Sequence, residues 1–94
     1  MDVYTSGEYF LDHYEAMRQA GEDIFDIPTT ARKAHNALTL AEQLGLSCTE
    51  KTRIVEIGCG HGIALFPIES ICPAQMTGID ISEAAIRAAQ QHAV

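Results

Sequence analysis

Apolar residues along the chain first recur at helical spacing and then, past residue 52, gather into short β-branched runs. Phe10, Tyr14 and Met17 stand four and three positions apart, which places them on one face of a helix predicted over residues 6 to 20. Thr5 with Glu8 supplies a capping-box start, and Gly21 a stop. After a turn-like stretch ending at Ile27 and Pro28, Thr29 or Thr30 is positioned to cap a second helix. Its Ala31, Ala34, Leu38, Ala41 and Leu44 keep the helical period until Gly45 and Leu46 close it. The polar SCTEKT segment at 47–52 then gives way to Ile54, Val55 and Ile57, a buried-strand pattern ending at Gly58. A companion strand is predicted over 76 to 81. The helix between them, 63 to 71, is stopped by Cys72 and Pro73 and carries Pro67 in its interior or, if it starts late, in its first turn. Ser82 caps a last, alanine-rich helix. Strand, helix, strand in this order is a parallel crossover.

The expected architecture is therefore α/β. It has a helical leader over residues 1–52, followed by 53–94 as part of a Rossmann-like parallel sheet with crossover helices. Only the first two strands of such a sheet are present. At 94 residues the chain is one domain at most, and folding hides only ~60–68% of the extended chain's surface, so the core is modest. No run of eighteen apolar residues exists to span a membrane, and the acidic start MDVYTSGEYF lacks the features of a targeting signal. A cytoplasmic setting follows as the expectation. Thirteen acids against six bases give a charge of −7, and seven of the acids lie in the first 26 residues beside the single base Arg18. Phosphate backbones would be repelled, which argues against a nucleic-acid partner. Cys48, Cys59 and Cys72 are odd in number and fit neither a paired-thiol metal site nor a redox dithiol, so free thiols are expected.

The chemistry concentrates in EIGCGHG, residues 56–62, where a strand ends in three alternate glycines just before a helix. Glycine there permits positive φ and lets a ligand approach bare backbone, while a following helix start offers unpaired amides. A dinucleotide fingerprint would need a glycine at position 63, where Ile63 stands, and a P-loop would need a Gly-Lys-Ser/Thr ending that is absent. The second element is GIDIS, residues 78–82, with Asp80 near the end of the second strand. A carboxylate there faces the same crevice as the glycine turn and is able to accept hydrogen bonds from a ribose diol. Helix capping is its other reading.

Together EIGCGHG and GIDIS resemble the cofactor-binding portion of the class I S-adenosylmethionine-dependent methyltransferases, over about residues 53 to 93. The resemblance implies that Gly58, Gly60 and Gly62 bring backbone against the methionine and ribose of S-adenosylmethionine. It implies that Glu56 orders the loop or reaches the cofactor's amino group through water, that Asp80 holds the ribose hydroxyls and that Ile81 touches adenine. Cys59 and His61 lie inside the cofactor loop. Cys59 is read as a packing side chain there, and His61 either touches the cofactor's carboxylate or is a tolerated loop residue. Tyr4, Tyr9, Phe10 and Tyr14 either line an acceptor pocket or form a core stripe. No catalytic base is identified, and no metal is expected. Cationic sulfonium suits two nearby acids, and the acidic surface suits a small-molecule acceptor.

The family's sheet has seven strands, so this chain looks incomplete and is expected to be inactive alone. Its uncovered sheet edge would favour self-association. Two other readings stand beside this one: a fragment of an NAD(P)-dependent oxidoreductase, and a non-catalytic binding module derived from a methyltransferase.

Overall fold

The computed structural model describes residues 8–93, so Thr5 and Tyr4 of the sequence reading lie outside it. The first helix, α1, has three parts: an α-helical turn Glu8–Phe10, a π-helical turn Leu11–Glu15 and an α-helical turn Ala16–Gln19. Within it the Ala16 amide bonds back to the Leu11 carbonyl, five residues away. Periodicity had suggested a uniform α-helix. A π turn puts a smaller angle between successive side chains, and here Tyr9, Phe10 and Tyr14 all reach one cavity wall. The stripe still packs as expected, with Phe10 buried against Ile24 and Ala85 while Tyr14 and Met17 lie alongside.

The second helix, α2, spans Pro28–Gln43. Its start differs from the expectation of a threonine cap. Ile27, in extended conformation, is the N-cap, no side chain caps the helix, and Pro28 opens it. Proline suits that place because its missing N–H would have no partner there. Ala34 is buried, whereas Leu44, at the end of the predicted stripe, is 73% exposed. The helix ends at the glycine the sequence marks, with the Leu46 amide bonded to the Ala41 carbonyl at 2.9 Å.

Strands β1 (Arg53–Ile57) and β2 (Gln75–Ile79) pair in parallel, with Arg53 opposite Gln75 and Ile57 opposite Ile79. This is the expected α/β arrangement, a two-stranded parallel part of a Rossmann-like sheet. Asp80 and Ile81 leave β2 earlier than predicted because the Asp80 Oδ1 accepts the Ser82 amide at 2.8 Å, turning the chain. The crossover helix α3 is short, Leu65–Glu69, and starts late, so that Pro67 falls in its first turn. The last helix, α4, covers Glu83–Ala93, and its cap is as predicted: the Ala85 amide donates to Ser82 Oγ at 3.2 Å.

The sheet is covered on one side only. Val55, Ile57 and Ile79 are exposed, Ile57 at 84%. On the covered side the packing is close. A Cβ built on Gly78 would stand 2.6 Å from Cys59 Sγ and 2.9 Å from Leu65 Cδ1, so only glycine fits at that point of β2.

Below the sheet, at the strand ends away from the glycine turn, Cys48 and Cys72 are joined as a disulfide with their Cα atoms 5.9 Å apart. This corrects the expectation of three free thiols; only Cys59 is free. The two partners are 24 residues apart in sequence, and the crossover brings together the segments leading into β1 and β2. Such a bond restricts the unfolded chain, and for a loop of this length is worth about 3 kcal/mol. Cys72→Ala should therefore lower stability by about that much in urea unfolding. A reductant should cost the native sequence the same amount and the variant nothing.

Candidate functional site

The turn after β1 is built from glycines in the left-handed region, with Gly60 at φ +57° and Gly62 at +90°. A Cβ on Gly60 would meet nothing within 4 Å and would project into open space, so a ligand has bare backbone to lie against. Gly62 has a second reason to be glycine: a Cβ there would stand 2.6 Å from the Phe66 ring. The Gly60 amide is held from across the crossover by Asp80 Oδ2 at 2.8 Å. Asp80 thus uses one oxygen on the glycine turn and the other on Ser82, and each oxygen keeps a further lone pair for a ligand.

These elements bound a cavity of about 490 Å³. One wall is aromatic, from Tyr9, Phe10 and Tyr14 of α1, with Thr30 of α2 beside it. The other is the glycine turn with Glu56, Asp80 and Ile81. The predicted Glu56, Gly58, Cys59, Gly60, His61, Asp80 and Ile81 all line it, and Gly62 does not, being turned toward Phe66. No lysine or arginine among the described residues lines this cavity. Among the described residues no cluster of histidine, cysteine and acids is arranged to hold a metal ion.

The electrostatics of the cavity are anionic and partly unsatisfied. Glu56 Oε1 is buried and has no hydrogen-bond partner among the described residues. Burial, and then the nearby Asp80, push the Glu56 carboxyl above its ordinary range. The Cys59 thiol is also pushed up, by burial first and then by Asp80 and Glu56. It donates to the Gly60 carbonyl at 3.4 Å, as a packing group and not as an activated nucleophile. Ile81 is 62% exposed at the cavity rim.

His61 has a partner that neither sequence reading named. It is 1% exposed, and its Nε2–H donates to the Ile24 carbonyl at 2.8 Å, 37 residues away. Burial holds its pKa below the ordinary imidazole value, so the ring is kept neutral. No local pattern signals such a contact. Gly78, two positions before the strand-end acid, packs against Cys59 and Leu65, and a glycine within a strand is the sequence signal of such close packing. Thr30 and Ser82 join the cavity from elements read only for their helix signals.

With this geometry, a parallel crossover whose glycine turn and strand-end acid share one cavity, the fold is that of part of a Rossmann-like unit. Residues 54–94 match a family model described as a methyltransferase domain, so the resemblance to class I methyltransferases holds over that stretch. Neither a curated protein nor a solved structure matches the chain. No helix among the described residues is long and apolar enough to cross a membrane.

The raised Glu56 pKa has a consequence for stability. Well below pH 4.5 the carboxyl is protonated in both the folded and unfolded chain. As pH rises from there, the unfolded chain releases the proton first, so folding loses stability until the folded carboxyl also ionises. Glu56→Gln removes this loss. Urea midpoints measured from pH 4.5 to 8 should show the variant gaining on the native sequence as pH rises, with the gain levelling off once Glu56 is ionised.

Proposed function

We propose that the cavity binds S-adenosylmethionine and that the chain is the cofactor-binding part of an S-adenosylmethionine-dependent methyltransferase acting on a small-molecule acceptor. The observation that carries this reading is the buried, partnerless Glu56 Oε1 beside Asp80, in a cavity without a lysine or arginine and with bare backbone along one side. Such a lining disfavours a diphosphate and favours a ligand that brings its own positive charge and its own donors. S-adenosylmethionine has a sulfonium, an ammonium and a ribose diol, and these residues fit it. Ile63, standing where a dinucleotide turn needs glycine, lines the cavity and weighs against the oxidoreductase reading.

When bound, S-adenosylmethionine supplies an electrophilic methyl group on a cationic sulfur. This chain's contribution is binding and alignment. Glu56 accepts from the amino group, Asp80 accepts from the ribose hydroxyls while keeping the glycine turn in place, and Ile81 offers an apolar edge to adenine. The aromatic wall of α1 excludes water and faces the acceptor side. Methyl transfer by in-line displacement needs mainly this alignment, and we assign no base.

Turnover is proposed only for a completed sheet. The uncovered Val55, Ile57 and Ile79 face and the unpaired edge of β1 are where further strands, or a second chain, would add. A cytoplasmic setting remains part of the proposal. In a reducing compartment the Cys48–Cys72 bond would be open, so alkylation during lysis should trap both thiols. A pair found oxidised in the cell would remove the cytoplasmic assignment.

Calorimetry tests the main reading. The full chain should bind S-adenosylmethionine and not NAD. Asp80→Ala should weaken binding about ten- to a hundredfold, the worth of a charge-assisted hydrogen bond. Binding of NAD instead, or equal affinity in the variant, would overturn the assignment of Asp80 to the ribose.

A further inference from the structure

We infer that His61 is a positioning residue that latches the aromatic wall of the cavity to the glycine turn and thereby sets how fast the cofactor leaves. This rests on the cofactor reading above. A nearly inaccessible imidazole is costly unless its polar atoms are used, and a phenyl ring would fill an aromatic cage without that cost. What histidine adds is the Nε2–H, spent on the Ile24 carbonyl at 2.8 Å. Ile24 is itself 1% exposed, so without this donor its carbonyl would lose its side-chain partner in a dry place.

The placement of the bond gives it a role beyond packing. His61 lies between Gly60 and Gly62, inside the very turn that faces the ligand, and Ile24 lies in the connection between α1 and α2. The His61 ring centroid is 4.5 Å from that of Tyr14 and 5.4 Å from that of Phe10, two α1 residues that line the same cavity. It is 5.2 Å from Phe25, which in turn stacks on His92 of α4 at 3.7 Å. One side chain of the glycine turn therefore grips the aromatic residues and the backbone of the leader. Asp80 ties Gly60, and the Phe10, Ile24 and Ala85 core holds the leader, so the His61 contact adds the direct polar tie between the two. Moving the leader away from the glycine turn breaks the His61 bond, so the bond resists any widening of the cavity that the two line.

Three variants separate the latch from simple packing. His61→Phe fills the cage without a donor, His61→Gln keeps a donor of similar reach, and His61→Asn keeps an amide too short to reach Ile24. Stopped-flow release of S-adenosylmethionine should be about tenfold faster in the Phe and Asn variants, the worth of one backbone-directed hydrogen bond, and should return to within about threefold of native in Gln. Hydrogen exchange over residues 22–27 should quicken in the same two variants. If His61→Phe does not fold, the Asn and Gln pair carries the comparison. Native release rates together with faster exchange at 22–27 would reduce His61 to a structural role and leave the cofactor reading intact. Failure of the native chain to bind S-adenosylmethionine would instead sink the cofactor reading, and the latch's effect on release with it.

Discussion

The site hangs on one carboxylate. Asp80 ends β2, and its two oxygens reach in different directions, one to the amide of Gly60 in the turn after β1 and one to the amide of Ser82 at the start of α4. Register puts the ends of the two strands side by side, and Asp80 converts that adjacency into a fixed loop. A glycine turn has many accessible conformations when free, so the tie supplies the order that the glycines themselves lack. Glu56, one residue before the end of β1, then faces a cavity whose floor is already set. Its unpaired oxygen is a cost that the folded chain carries.

What the sequence made legible was local. The stops of α1 and α2 at glycine, the Ser82 cap, the two β-branched strands and the late start allowed by Pro67 each depend on residues within a few positions of one another. The strand-end acid and the glycine turn were also legible, because the crossover rule places any such pair at one edge. The positions that went unread depend on distant partners. The π turn in α1, the open face at Ile57 and the Ile24 partner of His61 leave no trace in a periodicity. Cys48 and Cys72 looked unrelated because their spacing, 24 residues, matters only once the two strands are in register.

The helical leader is closely joined to the glycine turn. Phe10 and Ile24 from the leader share a core with Ala85 of α4, and Phe25 bridges His61 and His92. Aromatic rings provide most of this joint, and aromatic clusters hold relative orientation as well as contact. The leader is thus part of the cavity's architecture, and substitutions there would be felt at the glycine turn.

The bare side of the sheet brings two opposing forces to bear on solution behaviour. Val55, Ile57 and Ile79 form an apolar strip that water disfavours, while a chain carrying a net charge of −7 repels its copies. Dissolved salt shortens the reach of that repulsion to about 10 Å at 0.1 M and leaves the greasy strip untouched. Ionic strength therefore becomes a dial on crowding between molecules: dilute buffer keeps copies dispersed, and brine lets their uncovered ribbons meet.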